Sequence, residues 1–523
     1  MAACSREQIR FRAALQQVEE TQRRYLLNLL RRNARTQFGE KHHFSRIDSI
    51  AEYQQRVPLN PYENFTPHIE AIARGEANVL TTDRVRLFQP TSGSTSGTKL
   101  IPWTDTVAAE FRRGINPWLF SLYHHQPVLL DGTAYWSISP PVTPQRTHGS
   151  LRIGFDHDAE YLGLLGQKVF SLVSAVPPDV GRCQDINEFK TRTLLSLLAD
   201  EHLCLISVWS PTFLTTLLED FIGRQDEILK MLVRGGSSQA RLRTELIRSV
   251  MKESQRQVWL EQIWPKLKVI SCWTHGSSAI YAENLRRFFP GVEIQGKGLV
   301  ATEAFVSLPF QQNADPVLAV TSHFFEFQDP DTKSISLAHQ LSAGREYQVI
   351  VTTGGGLYRY LLGDRIHVTG FIHDAPCFRF VGKDSYVSDL FGEKLHAGFV
   401  EKIIHQAIAP QNLKASFLLL APVADDRGGI GYTLFVEAES IPDTANLLRR
   451  LETGLAENFH YGHCRKLGQL SAARVFQIRR GLKSAEAIYL EEMHSRGIKQ
   501  GDVKPSLLDR QSGWERRFEG VFR

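Results

Sequence analysis

The chain has 523 residues, 42% apolar, 22% charged and 10% aromatic, with 61 Lys and Arg against 56 Asp and Glu. That balance excludes a disordered tail, a collagen and a small disulfide scaffold. Single cores stop growing near about 250–300 residues, so two or three domains are expected. A net charge of +5 is a small excess on a large surface. Nucleic-acid binding, which needs a concentrated basic patch, is not expected.

The 6 cysteines (Cys4, Cys183, Cys204, Cys272, Cys377, Cys464) are far apart and form no C-x-x-C pair. This fits a reduced, cytoplasmic protein without a zinc cluster. The first residues carry Arg6, Glu7, Arg10 and Arg12 where a signal peptide needs an apolar run. No stretch approaches the roughly 18–20 apolar residues of a membrane span. Phe417–Ala424 is too short and contains Pro422. The expectation is a soluble protein without a membrane or obligate protein partner.

In chain order, residues 5–35 read as helix, because Ile9, Phe11, Ala14, Leu15, Val18, Leu26, Leu29 and Leu30 recur at 3–4 spacing. Pro58, Pro61 and Pro67 then make turns before a short helix at 69–73, which Gly75 ends. Residues 203–209 form a continuous apolar run, and Ser210-Pro211 opens a helical pattern through Phe221. Residues 267–272 are a second buried-strand run, followed by Gly276-Ser277-Ser278 and a helix to about Phe289, with a further strand at 292–295. Strand–loop–helix order predicts an α/β fold with mostly parallel sheets, packed helices and ligands at strand carboxyl ends. After 382–384 the texture changes. Helices at 395–409, 443–458 and 485–494 alternate with strands at 415–420, 430–437 and 474–478. A large domain over 1–383 and a smaller, mobile α+β domain over 384–523 are expected.

Three segments carry chemistry. In Thr91-Ser92-Gly93-Ser94-Thr95-Ser96-Gly97-Thr98-Lys99, glycines let backbone amides point inward, hydroxyls add donors and a lysine neutralises charge, which is how a loop holds phosphate. The spacing is neither that of a Walker A loop nor, with Thr95 at the centre, of a hydrolase elbow. A flexible polar loop has the same composition. Residues 296–301 fit a loosened G-x-G-x-x-A dinucleotide fingerprint, but Pro309 cuts short the helix it requires. Thr302-Glu303 then places a hydroxyl and a carboxylate past a strand end, where an acid holds Mg²⁺ against a triphosphate or merely caps a turn. Finally, a strand at 347–352 leads into Gly354-Gly355-Gly356-Leu357-Tyr358-Arg359-Tyr360, and Asp364 follows with Gly363. A carboxylate there accepts two hydrogen bonds from a ribose diol, or stabilises a turn.

These loops, in this order, resemble the adenylate-forming superfamily of acyl-CoA synthetases, luciferases and peptide-synthetase adenylation domains. The sequence is most similar to the Gretchen Hagen three (auxin-responsive) family of acyl acid amido synthetases. The resemblance runs from residues 33–39 and Val57-Pro58 through Gly75-Glu76, the 91–99 loop and Tyr358-Arg359-Tyr360 to Val503-Lys504-Pro505. It implies that Ser92, Gly93, Ser94, Thr95, Ser96 and Gly97 line the ATP phosphate loop, with Thr302 beside the phosphate. It further implies that Glu303 holds Mg²⁺ and Asp364 binds the ribose. Lys394 corresponds to a lysine near the nucleotide and Lys504 to one that approaches the reacting phosphate. Two departures stand out: the Gly97-to-Lys99 spacing is one residue shorter than in plant members, and Leu299 replaces an aromatic beside the adenine.

The activity implied is conversion of a small carboxylic acid to its acyl adenylate, followed by attack of an amino acid's amine. A ligase that passes the acyl group to a thiol such as coenzyme A, and an inactive nucleotide-binding member, are the competing readings. By position at strand ends, Trp209, Ser210, Pro211, Thr274, Gly276 and Ser277 border the expected acyl pocket. Trp209 is either its flat wall or core. His42-His43 and His124-His125 lack a metal-site context.

Overall fold

A computed structural model describes residues 2–91, 99–136, 146–155, 173–183, 185–234, 238–253, 259–310, 315–383, 387–425, 429–496, 498 and 503–523. The N-terminal helical pattern is realised as two helices, α1 (Ala2–Leu15) and α2 (Val18–Arg32), because Gln17 leaves helical geometry at φ −143°. Gln22 of α2 is buried and shows how these helices are anchored. Its amide donates to the carbonyls of Val320 and His323 at 2.7 Å each and accepts from the Phe325 amide at 2.8 Å. A buried amide so satisfied fixes register as well as contributing stability. The long helix α3 (Asp105–His125) is capped by Thr104, whose hydroxyl accepts from the Val107 amide.

The expected parallel sheet is present. It runs β1 (Thr133–Trp136), β2 (Leu203–Ser207), β3 (Val269–Cys272), β4 (Glu293–Gly296), every pairing parallel. All residues of β2 and β3 are buried, as a sheet covered on both faces requires. Helices α4 (Pro211–Gly223) and α5 (Ala279–Phe288) follow β2 and β3, and Phe213, Leu217, Phe221 and Leu285 join Ile206 and Ile270 in one core.

A second, seven-stranded sheet is antiparallel. Its centre is β5 (Phe324–Gln328), β6 (Glu346–Thr352), β7 (Tyr360–Ile372) and β8 (Ala375–Lys383), flanked by Ile335–Leu337 on one side and Val317–Leu318 and Ser307–Leu308 on the other. The triple-glycine turn between β6 and β7 packs where no side chain fits. A Cβ on Gly354 would collide with Thr106 and Glu110, and one on Gly356 (φ +96°) with Leu80. Asp364, expected after a turn, lies inside the long strand β7, paired in register with Lys383 of β8. A third sheet pairs Leu87–Pro90 with Leu100–Trp103 antiparallel. The predicted phosphate loop, 92–97, connects these two strands and lies outside the described residues. No helix follows 296–301, so the dinucleotide fingerprint is unsupported; the chain continues into Ser307–Leu308.

The C-terminal unit comprises α6 (Ala397–Ile408), β9 (Phe417–Ala424), β10 (Ile430–Glu437), α7 (Thr444–Leu455), β11 (Leu470–Ile478), α8 (Ala485–Ser495) and β12 (Gly520–Phe522). Its sheet order is β9-β10-β11-β12. The apolar run of β9 is buried on both faces: Leu418 and Leu420 meet Val400, Ile404 and Leu451, while Phe417 and Leu419 meet Tyr489, Trp514 and Phe518. Pro422 is tolerated because β9 borders the ladder, where a missing donor is least costly. Strand β8 ends at Lys383, and 384–386 lie outside the described residues. Among the described residues no helix is long and apolar enough to cross a membrane.

The two halves meet across a cluster of acids. Thr215 of α4 donates to Glu486 of α8 at 2.9 Å, Ser484 donates to Glu219 of α4 at 2.6 Å, and the Ala485 amide donates to Glu437 of β10 at 3.1 Å. Burial holds the Glu486 carboxyl well above its usual range; the Thr215 hydroxyl opposes this, and the nearby Glu219 and Glu437 add to it. The folded state therefore favours protonated Glu486. Its contribution is full below the ordinary carboxylate pKa and is lost as pH rises through the elevated folded value. Glu486→Gln is expected to raise the melting temperature relative to wild type by a margin that widens from pH 5 to pH 8. Melting curves of both proteins across that range check it; a constant margin would contradict it.

Candidate active site

A cleft of about 280 Å³ opens between the carboxyl ends of the parallel sheet, the antiparallel sheet and the C-terminal unit. Thr274, Ser277, Leu299, Thr302, Glu303 and Lys504 line it, as do Lys99, Gly363, Lys383 and Glu401. Thr274, Ser277, Thr302, Glu303 and Lys504, all singled out in the sequence, thus converge from segments over two hundred positions apart. Thr91 and Lys99, which bracket the predicted phosphate loop, stand on the wall, joined by a bond from the Thr91 amide to the Lys99 carbonyl at 2.9 Å.

Glu303 is buried and accepts a hydrogen bond from the Tyr360 hydroxyl at 3.3 Å; Lys99 Nζ lies 3.5 Å from that same hydroxyl. Burial, and then the charge of Glu303, push the Tyr360 phenol far above its usual range, so it stays a donor. Asp364 is fully buried behind Gly363. Lys383 Nζ faces it at 3.5 Å, at the limit of a hydrogen bond, and neither carboxylate oxygen has a closer donor among the described residues. The charge of Asp364 raises the Lys383 ammonium pKa against the opposing effect of burial.

The Tyr358-Arg359-Tyr360 motif divides its labour. Tyr358 donates to the Leu80 carbonyl at 2.8 Å. Arg359, held at φ +47°, is buried and makes a two-pronged pair with Glu326 at 2.9 and 3.0 Å, while its Nη1 donates to the carbonyls of Gln54 and Val57 at 2.8 Å. Only Tyr360 turns to the site. Opposite, the Ser277 hydroxyl donates to the Pro505 carbonyl, and Lys504 Nζ lies over the Trp273 ring at 5.3 Å. Gly276 adopts φ +60° beside Phe380 and Glu401.

Other expected residues stand elsewhere. Lys394 is half-exposed, 3.9 Å from Asp389, outside the cleft; its neighbour Glu393 is buried, accepting from the Leu390 and Phe391 amides and the Tyr432 hydroxyl. Trp209, Ser210 and Pro211 do not line the cleft: the Trp209 ring lies 6.0 Å from that of Trp273, the Ser210 hydroxyl bonds Thr212 and Pro211 is buried at the start of α4.

Residues 8–294 match the N-terminal domain of the GH3 family and residues 316–383 its central domain. The chain belongs to the GH3 family. Similar relatives include the indole-3-acetic acid-amido synthetase GH3.15 of Arabidopsis thaliana, 25% identical over 431 residues, covering 75% of this chain and 72% of that one. Another is the indole-3-acetic acid-amido synthetase GH3.8 of Oryza sativa subsp. indica, 23% identical over 436 residues, covering 75% and 71%. The fold matches the solved structure of AtGH3.15 acyl acid amido synthetase in complex with 2,4-DB with a TM-score of 0.82 at 19% identity, covering 99% of this chain and 95% of that one.

This GH3 protein also holds a residue that sequence reading passed over. Lys297, the middle of the Gly296-Lys297-Gly298 segment, is buried at the carboxyl end of β4. Its ammonium lies over Trp118 at 4.9 Å, Trp209 at 5.1 Å and Trp136 at 5.7 Å, and donates to the Ser207 hydroxyl at 2.5 Å. No carboxylate pairs with it among the described residues. Burial pulls it down to about 7, with a small opposing pull from Cys272. The signal available was a lysine between two glycines at a strand end, next to tryptophans scattered through the sequence. With the folded pKa depressed, the fold disfavours the charged form, and stability falls as pH drops from the ordinary lysine range through about 7. Lys297→Met is expected to gain stability over wild type as pH is lowered from 9 to 7, by up to about 1.4 kcal/mol per unit. Chemical denaturation at the two pH values checks the sign.

Proposed function

We propose that the chain activates a small carboxylic acid with ATP as its acyl adenylate and transfers the acyl group to the amine of an amino acid, giving an amide. One observation supports this above the others: Glu303, Lys383, Lys504 and the residues Thr91 and Lys99 that flank the 92–98 segment border a single cleft, with Asp364 buried behind Lys383. A carboxylate is a poor electrophile, and hydroxide is a poor leaving group. Joining it to AMP replaces that leaving group, so the task becomes positioning two anions and neutralising them.

The residues present fit a bound nucleotide and metal. The buried Asp364 carboxylate, with oxygens left to accept, suits the two donors of a ribose diol. Glu303, oriented by Tyr360, supplies one carboxylate of the kind Mg²⁺ takes alongside waters and phosphates. Bound there, Mg²⁺ would neutralise charge on the triphosphate. Ser92, Ser94, Thr95, Ser96 and the amides of Gly93 and Gly97 would cradle the phosphates, with Thr302 beside them. Lys504 reaches the cleft from the C-terminal segment and would stabilise the reacting phosphate. Lys394, outside the cleft, would enter when the smaller domain, 384–523, turns about the junction after Lys383. Thr274, Gly276 and Ser277 border the acyl side, with Trp209 behind Trp273. The substrates are free small molecules, and we place the reaction in the cytoplasm, in keeping with six cysteines outside any disulfide.

The test is pyrophosphate exchange with a panel of carboxylic acids, followed by product mass spectrometry with amino acids or coenzyme A as acceptor. Exchange with at least one acid, and an amide as product, is expected; a folded protein that exchanges with none contradicts the reading. Asp364→Ala is expected to weaken ATP binding at least tenfold with an unchanged circular-dichroism spectrum. Unaltered binding would remove Asp364 from the ribose site.

A further inference from the structure

Amide formation asks of the cleft something that adenylation does not. An amino acid arrives as an ammonium ion, and a nitrogen carrying that proton has no lone pair with which to attack. A proton acceptor is therefore needed in the second half-reaction alone.

The acids near the cleft are unequal. Glu303 is oriented by Tyr360, and Asp364 faces Lys383. Glu401, one turn into α6, differs from both. Its carboxyl lines the cleft from the C-terminal unit with the side chain 17% exposed. It lies over Gly276, where a Cβ would stand 3.8 Å from its Oε1 and 3.2 Å from the Phe380 ring, so the glycine keeps this corner open. Its one ionisable partner among the described residues is His405, 3.9 Å away on the same helix. Burial lowers the pKa of that imidazole, which favours its neutral form. From the facing elements come His275, lowered by burial and turned toward Asp315 at 3.8 Å; Lys383, committed to Asp364; and Lys504, over Trp273. Glu401 is thus an acid without a cation, on the wall of a cleft built for anions, and burial pushes its carboxyl up to about 8.

We propose that Glu401 receives the acceptor's ammonium group and takes its proton, a catalytic residue for amide formation and not for adenylation. The proposal rests on the amido synthetase reading above. One N–H bond of the ammonium breaks and its proton passes to a Glu401 oxygen. The freed lone pair forms the C–N bond to the acyl carbon, and the C–O bond to AMP breaks, the pair leaving with AMP. The nitrogen's second proton goes to water. A carboxylate poor in water and free of cations suits this role twice, since it attracts an ammonium ion and is basic enough to deprotonate it.

The experiment compares wild type with Glu401→Gln, using benzoate and indole-3-acetate as acids. Three readouts are taken: pyrophosphate exchange, conjugation of a mixture of the common amino acids, and hydroxamate formation with hydroxylamine, which is already a free base at neutral pH. The variant is expected to keep exchange within about twofold, to lose amino-acid conjugation about a hundredfold, and to keep hydroxamate formation. The wild-type to variant ratio for conjugation is expected to grow with pH up to about 8. Conjugation within threefold of wild type overturns the proposal. So does loss of exchange together with conjugation, which would assign Glu401 to the nucleotide or the fold; melting curves separate these. Absence of exchange in wild type would instead overturn the amido synthetase reading, and this proposal with it.

Discussion

The geometry of the cleft hangs on one buried ion pair. Arg359 stands in a left-handed conformation that its side chain alone would not favour. It is held there because Glu326 engages it twice and two carbonyls from the 50–57 region take the remaining donors. Removing one member of a buried pair typically costs about 3–5 kcal/mol, because the other is left charged and dry. The consequence reaches the site within a few residues. The turn that Arg359 fixes launches β7, so Tyr360 points at Glu303 and Asp364 falls opposite Lys383. Glu110 does similar work behind the glycines: it accepts from Tyr25 and from the Gly354 amide at 2.9 Å, and His323 stands 3.1 Å away. Together these buried charges tie the N-terminal helices to the sheet that carries the acids.

The C-terminal unit meets this scaffold through polar groups as well as through Ile280 and Tyr281, which pack into its cores. Thr215, Ser484 and the acids Glu219, Glu437 and Glu486 occupy the contact, with Tyr281 of α5 entering the core around Phe417. Such an interface is stable yet reversible, because hydrogen bonds exchanged for water leave little net free energy. That character suits the proposed reaction, in which one wall of the cleft must rearrange between two half-reactions.

Much of this was readable in the sequence, for local reasons. The strands at 203–207 and 269–272 are unbroken apolar runs because both faces are covered, and Pro211 marks the next helix. Of the residues singled out in the sequence, Thr302, Glu303, Ser277 and Lys504 line the cleft and Asp364 lies buried behind it, and each sits in a short motif of a few adjacent residues. Of the antiparallel sheet only the strand at 347–352 was legible. Its longest strand, β7, contains Gly363 at φ +79° and follows a triple-glycine turn, so local propensity argues for a loop where tertiary pairing with β6 and β8 prevails. Lys297, Lys383 and Glu401 escaped for a different reason. Each gains its character from partners at least nineteen positions away, or from the lack of any, and no spacing rule records desolvation. Residues 92–97 gave the clearest motif, and their structure lies outside the described residues.

The distribution of charge around the cleft follows the order of the proposed chemistry. The first half-reaction brings a carboxylate to a triphosphate, so lysines at positions 99, 383 and 504 surround it and each acid of the large domain is tied to a hydroxyl or an ammonium. The second half-reaction admits a cation, and for that the cleft needs an acid whose charge is not already answered. Such a group cannot stand beside the phosphates without repelling them. The C-terminal unit presents both Lys504 and Glu401 to the same space. A single reorientation of that unit would then exchange the group that favours adenylation for the group that favours amide formation. Two chemistries with opposite electrostatic demands are in this way confined to one cleft.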